Sequence, residues 1–289
     1  MVENNLSIIV PIFEKKVNFI TFYENVKLSL SKYNFIDYIF VDDGNDYDLK
    51  QIVDKDIKNI KIINNNKNLG YGASIKKGVE AANNEFLGII DSDNSYDLDH
   101  LINLFEVFKE SKCDLLVGKR DFKYKDNFFK IAFRKIINFL SSWIFNCKIE
   151  DINSGLRIFN RSDFIKDKNI YSDKFSLSST QTLCTVSRDK TIKYVDTNYL
   201  KRDGSSKINI LKDPFRFIYL IFKIFLIFSP MKFFGSIGVF FILSSFLILI
   251  FSIIFLQNIL DTTFLMLFIA GINFVFFGLI GEIIRIYNK

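Results

Sequence analysis

Two pairs of carboxylates stand directly behind short β-rich runs: Asp42 and Asp43 follow Phe40-Val41, and Asp91 and Asp93 follow Ile89-Ile90. Two acids one residue apart in a turn, as in Asp91-Ser92-Asp93, offer hard oxygen ligands to a divalent cation and leave its other positions to water and phosphate oxygens. A diphosphate leaving group needs such a cation, because it departs with added negative charge. A three-residue D-x-D recurs by chance, and solvated loop acids are the alternative reading of either pair alone. Their joint placement behind two strands singles them out. Asn68-Leu69-Gly70-Tyr71-Gly72-Ala73-Ser74 sets two glycines at the entry to a helix, where backbone N–H groups could approach a nucleotide or simply close a tight turn.

These residues need elements to hold them. Residues 7–13, 36–41, 60–63, 86–90 and 115–117 are short β-rich runs separated by stretches long enough for helices. That alternation predicts a parallel α/β sheet, in which ligands bind outside the carboxyl ends of the strands. Both acidic pairs fall at that edge. His100, the only histidine, reads as a helix residue without a catalytic role.

Composition bounds the rest. With 34 Phe against a net charge of only +6 the chain is not disordered. Cys113, Cys147 and Cys184 are scattered, which predicts neither a disulfide framework nor a zinc site. No basic region precedes the first apolar stretch, so no signal peptide is expected. Residues 233–256 and 262–281 contain no charged side chain, and at about 1.5 Å per residue each can cross a hydrocarbon core of about 30 Å. Lys201, Arg202, Lys207, Lys212, Arg216, Lys223 and Lys232 precede the first of these runs, whereas residues 257–261 between them hold no base. That asymmetry predicts that both termini and the soluble part are cytoplasmic, at the inner membrane. Bases and acids nearly balance over the first 211 residues, which excludes a nucleic-acid partner. Residues 214–228 read as an interfacial helix on the bilayer, with a third, poor span as the alternative. The expected organisation is a domain over 1–211, an interfacial segment over 212–232, and two transmembrane helices within 233–289.

The ordered set Ile9-Val10-Pro11-Ile12-Phe13, Val41-Asp42-Asp43-Gly44, Asn68-Leu69-Gly70-Tyr71-Gly72-Ala73, Asp91-Ser92-Asp93, Val117-Gly118-Lys119-Arg120, Asn153-Ser154-Gly155-Leu156-Arg157 and Arg202-Asp203-Gly204-Ser205-Ser206-Lys207 resembles family 2 glycosyltransferases. More narrowly it is similar to the polyprenyl-phosphate glycosyltransferases related to dolichol-phosphate mannose synthase. The resemblance covers about residues 6–210. It implies a GT-A, Rossmann-like nucleotide-sugar-binding domain, and inverting transfer of one sugar from a UDP- or GDP-sugar to a polyprenyl phosphate. Through it, Pro11, Asp42, Asp43 and Gly70 would line the nucleotide pocket. Asp91 and Asp93, with Ser95 nearby, would hold Mg²⁺ or Mn²⁺. Arg120 and Arg134 match positions that grip the acceptor phosphate, and Arg157, Arg202 and Lys207 match bases near donor or acceptor phosphates; singly, each base reads equally as a surface ion pair.

Several residues depart from the family pattern. Residues 176–182 read Ser-Leu-Ser-Ser-Thr-Gln-Thr where relatives carry one or two Glu, Glu14-Lys15 replaces Asn-Glu, and Asp196 stands at a proline position. An alcohol acceptor must lose a proton to a general base, whereas a lipid phosphate is already ionised at pH 7. The missing acid therefore favours the phosphate over the alternative acceptor, a sugar hydroxyl of a lipid-linked glycan. A fold-retaining scaffold is disfavoured by the intact Asp91, Asp93, Arg157 and Lys207, and a channel by the absence of intramembrane charge. Gly235, Gly238, Gly271 and Gly278 would permit close helix packing or a homo-oligomer.

Overall fold

The computed structural model describes residues 5–120, 128–174, 176–197, 213–255 and 261–287, with side chains from 135 and 217 onward in the two helices that begin at 128 and 213. The chain forms two compact units, Met1–Ile218 and Tyr219–Lys289.

Among the described residues, the first unit holds β1 (Leu6–Ile12), β2 (Ile36–Asp42), β3 (Ile60–Asn64), β4 (Phe86–Ile89), β5 (Leu115–Arg120), β6 (Arg157–Asn160) and β7 (Ile192–Thr197), in the sheet order β3-β2-β1-β4-β6-β5-β7. The connecting helices are α1 (Lys16–Lys32), α2 (Tyr71–Ala81), α3 (Leu98–Ser111), α4 (Phe128–Phe145), α5 (Arg161–Asp167) and α6 (Leu177–Ser187). β1 is buried along its whole length, so it reads as a continuous apolar run and not as an alternating one. Ile8, Val10 and Ile12 join a core with Phe19, Phe22, Tyr23 and Val26 of α1. Those α1 residues recur at helical spacing, and the Phe19 ring stands edge-on to Phe40 at 5.7 Å. On the opposite face a Cβ at Gly78 of α2 would lie 2.5 Å from Ile9 Cγ2, so the helix packs against β1 almost backbone to side chain.

The sheet differs from the expected all-parallel one. β6 runs antiparallel to both β4 and β5, while the remaining pairs are parallel. β6 is four residues long and opens on an arginine, too short and too polar at its start to show a strand period. β7, IKYVDT, mixes charge into its alternation and was equally hidden.

In the second unit, α8 (Pro230–Phe255) and α9 (Asp261–Tyr287) are each long and apolar enough to cross a membrane. α7 (Asp213–Phe228) precedes them and buries Leu220, Ile221, Ile224 and Phe228 at helical spacing. A Cβ on Gly238 would meet Gly271 O at 2.7 Å, and one on Gly271 would meet Gly238 O at 2.9 Å, so these two glycines bring α8 and α9 of one chain into backbone contact. Seven and fourteen residues beyond Gly238, the buried Ser245 and Ser252 turn their hydroxyls back onto Ile242 O and Leu249 O.

Phe40 is fully buried among aromatic rings, so Phe40→Ala is expected to cost about 3–5 kcal/mol. The exposed Leu28→Ala should stay within about 0.5 kcal/mol of the native chain. Thermal denaturation of the two variants checks the difference.

Candidate active site

The site is assembled at one rim of the sheet. Ile89 of β4 and Val117 of β5 both stand level with Arg157, so the ends of β4 and β5 and the start of β6 open on the same edge. Ile12 stands level with Asp42 on that edge as well. Pro11 fits near the end of β1 for a stereochemical reason. Ile90 N donates to Ile9 O, so Ile9 and, two residues on, Pro11 face β4; the ladder there stops at Ile90, and no donor is missed at Pro11. Ser92 Oγ donates to the Pro11 carbonyl instead.

Asp42 and Asp43 are both buried, and they shape the turns around them. Asp42 Oδ1 accepts from Gly44 N at 3.0 Å, Asn45 N at 2.9 Å and Asn45 Nδ2 at 2.7 Å, closing the turn after β2. Asp43 Oδ1 accepts from Leu69 N at 2.9 Å and Asn65 Nδ2 at 3.0 Å, and its Oδ2 accepts from Gly70 N at 3.0 Å. Asp43 thus pins the glycine-bearing turn. Gly70 has φ +105°, and a Cβ on Gly72 would lie 2.0 Å from Ser172 O, so both glycines are required by backbone geometry. Ala73 N donates to Asp173 O at 2.8 Å. In this structure the amides of Leu69, Gly70 and Ala73 bond inside the protein.

Behind β4, Asp91 is half-buried and Asp93 is buried. Asn94 at φ +55° bends the chain so that Ser95 N and Ser95 Oγ both reach Asp93 Oδ1. Ser95 therefore braces Asp93 through its own donor. A Cβ on Gly155 would meet Asp91 Oδ2 at 2.6 Å, so the Asn153-Ser154-Gly155 loop lies directly on the Asp91 carboxylate. The Tyr71 hydroxyl is buried against Asp91 and Ser178; burial, then the negative charge of Asp91, raises its pKa well above that of a free phenol. Asp91 and Asp93 are oxygen donors suited to a hard divalent cation. Among the described residues no three His, Cys, Asp or Glu gather as a metal-ligating group.

The bases are held differently. Arg120 Nε and Nη2 donate to Asp151 Oδ2 and Oδ1, each at 2.8 Å, in a bidentate pair that is almost fully buried. Burial pushes the Asp151 carboxyl up, but the Arg120 charge and the bonds from Arg120 and Asn153 N outweigh it and hold the pKa below the usual range. Arg157 is wholly buried. Its Nε donates to Ser154 O at 2.7 Å, Nη2 to Ile152 O at 2.9 Å, and Nη1 to Thr182 Oγ1 at 2.9 Å and Gln181 Oε1 at 3.4 Å. Burial brings its pKa down to about 10. Arg157 thus ties the loop before β6 to α6, whose Ser178, Ser179, Thr180, Gln181 and Thr182 are all buried.

Arg134 lies on α4 with its side chain outside the described residues, and Arg202 and Lys207 lie outside them entirely. Asp151 was not singled out in the sequence, although it heads the same stretch as Asn153 to Arg157. Asn65 was missed too; it links Asp43 to Ser74 Oγ and accepts from Lys77 Nζ. An isolated Asn in a loop carries no signal of its own. His100 sits on α3.

A model of glycosyl transferase family 2 matches residues 7–167. The dodecaprenyl-phosphate galacturonate synthase of Rhizobium johnstonii is 25% identical over 246 residues, spanning 81% of this chain and 71% of that protein. Among solved structures, glucosyl-3-phosphoglycerate synthase from Mycobacterium tuberculosis, in complex with Mn²⁺, UDP and phosphoglyceric acid, superposes with a TM-score of 0.60 at 11% identity, over 76% of this chain and 78% of that one. TarS of S. aureus in complex with UDP-GlcNAc gives a TM-score of 0.50 at 21% identity, over 77% and 66% of the two chains. These two likenesses show the fold, GT-A.

Asp151→Asn removes one partner of a buried ion pair and is expected to cost about 3–5 kcal/mol at pH 7. Because the folded carboxyl titrates below its ordinary value, the stabilisation is complete above an unfolded Asp pKa of about 3.9 and is lost as pH falls through the lower folded value. The gap in Tm between native and variant chains should therefore close on acidification. A gap that is constant with pH would remove the ion pair as its cause.

Proposed function

The chain belongs to glycosyl transferase family 2, and from that premise we propose that it moves one sugar from a UDP- or GDP-sugar onto a polyprenyl phosphate at the cytoplasmic face of a membrane. The observation that carries this reading is the Asp91 carboxylate seated under Gly155 at the strand rim, in a chain that also holds two membrane-length helices. The relative named for dodecaprenyl-phosphate galacturonate synthesis supports a lipid-phosphate acceptor.

In the proposed reaction an acceptor phosphate oxygen attacks the anomeric carbon as the bond from that carbon to the donor diphosphate breaks, which inverts the centre. The acceptor oxygen is already ionised, so no residue has to remove a proton. α6 agrees with this: it contains hydroxyls and an amide and no Asp or Glu. Asp91 and Asp93 would hold Mg²⁺ or Mn²⁺, with Ser95 fixing Asp93. When bound, the cation supplies neutralisation of the departing diphosphate. Their carboxylate oxygens fit a hard cation, and among the described residues no third carboxylate joins them, which leaves positions that donor phosphates would fill. Pro11, Asp42, Asp43 and Gly70 shape the nucleotide side of the rim. Arg120, aimed by Asp151, and Arg134, with Arg202 and Lys207, would draw in the acceptor and donor phosphates. Arg157 would act from behind by holding the loop that touches Asp91. The Lys and Arg residues before α8, against none between α8 and α9, support cytoplasmic termini.

Incubating the full chain in detergent with undecaprenyl phosphate, Mg²⁺ or Mn²⁺ and a panel of UDP- and GDP-sugars should yield a monosaccharide-phosphate lipid by mass spectrometry from one donor. Asp91→Ala should lower kcat/KM by about 10²–10³ or more. No lipid product from any donor, with the chain folded and binding nucleotide, would overturn the lipid-phosphate acceptor in favour of a glycan hydroxyl or an inactive scaffold. Mn²⁺ titrated by electron paramagnetic resonance should bind weakly alone and tightly with the matching nucleoside diphosphate. Equal binding with and without nucleotide would show that the protein alone completes the shell.

A further inference from the structure

Tyr71 is the first residue of α2 and stands between Gly70 and Gly72. Its backbone is held from both sides. Just before it, Asp43 accepts from the amides of Leu69 and Gly70, and just after it, Ala73 N donates to Asp173 O. One turn on, Lys76 Nζ donates to Tyr171 O and to Asp173 Oδ1, each at 2.6 Å, tying α2 to the same 171–173 segment. A tyrosine has two side-chain torsions and a rigid ring, so a fixed Cα delivers the hydroxyl to a narrow region of space.

That region is out of water. The Tyr71 side chain is half-buried, yet its hydroxyl oxygen is fully buried. A buried hydroxyl is costly unless it is bonded, and the groups beside it are the Asp91 carboxylate and the Ser178 hydroxyl. Chemistry fixes the direction of the bonds. An ionised carboxylate only accepts, so the single phenol O–H points to Asp91, and the phenol oxygen is left to accept from Ser178. Donors then run from Ser178 of α6 through Tyr71 of α2 to Asp91 behind β4, and α6 has no Asp or Glu to compete for the phenol. On its other side Asp91 meets a wall: a Cβ on Gly155 would lie 2.6 Å from Oδ2 and 3.1 Å from Oδ1. The wall limits how far the carboxylate swings. A hydrogen bond to one oxygen decides which oxygen is left for a ligand.

We propose that Tyr71 is a positioning residue: its hydroxyl hydrogen-bonds to one oxygen of Asp91 and leaves the other for the divalent cation, while Ser178 fixes the phenol. This rests on Asp91 as a metal ligand, and it adds the two residues that aim it.

Mn²⁺ is titrated by electron paramagnetic resonance into the full chain in detergent, with UDP or GDP present, for the native protein and for Tyr71→Phe, Ser178→Ala and Asp91→Ala. Tyr71→Phe should weaken Mn²⁺ binding about 10–100-fold, and Ser178→Ala by less. Tyr71→Phe added to Asp91→Ala should cost nothing further, because the phenol acts only through that carboxylate. In the transfer assay Tyr71→Phe should lower kcat and leave KM for the lipid phosphate unchanged. Ser178→Ala leaves Tyr71 in place, so it carries the test if Tyr71→Phe does not fold. Native Mn²⁺ affinity in both single variants, with only a lower Tm, would make the phenol a structural group and overturn the proposal. Additive losses in the double variant would overturn it too. Asp91→Ala with native Mn²⁺ affinity would remove Asp91 as a ligand, and the proposal with it. Loss in Asp91→Ala but in neither Tyr71→Phe nor Ser178→Ala would overturn the proposal alone, so the two failures are distinct.

Discussion

The rim depends on one buried cation. Arg157 has no exposure, and a guanidinium out of water is tolerated only when its donors are met. Here the carbonyls of Ser154 and Ile152, the Thr182 hydroxyl and the Gln181 amide meet them. The result is a loop of fixed shape between Asp151 and Arg157. Two contacts follow from that shape: Gly155 lies on the Asp91 carboxylate, and Asp151 reaches Arg120. Ser154 adds a third, donating to Gly118 O beside the Tyr96 hydroxyl.

The proposed site would work by preorganisation. Carboxylates and bases that bond to fixed partners before substrate arrives need no rearrangement as charge develops. Asp93 against Ser95, Asp43 against the 65–70 turn, and Arg120 against Asp151 each follow this plan. The second unit follows a different rule. Helices that span lipid gain little from the hydrophobic effect between them, and α8 and α9, long enough to span, meet where Gly238 and Gly271 let backbones touch.

Much of the fold was legible. The five apolar runs became β1 to β5 because buried parallel strands read as short unbroken hydrophobic segments. Residues 233–255 of the first charge-free run lie in α8 and the second run lies in α9, because length and apolarity alone decide whether a helix can span. β6 was not legible. Nothing in Arg157-Ile158-Phe159-Asn160 announces that it runs backwards between β4 and β5, since strand direction is set by distant partners.

Acids after β2 and β4, motifs in the order of family 2 glycosyltransferases, and two membrane-length apolar runs can all be read along the chain. These are properties of neighbours along the chain. Which charges face inward is settled by folding: Asp43 pins the turn at Gly70, Gly72 admits the 172–173 backbone, and Arg157 is an internal tie while Asp151 holds Arg120. A charged residue shows the same local pattern whether it is solvated or buried. Its fate depends on whether partners from elsewhere in the chain can satisfy it, and that is settled when the chain closes on itself.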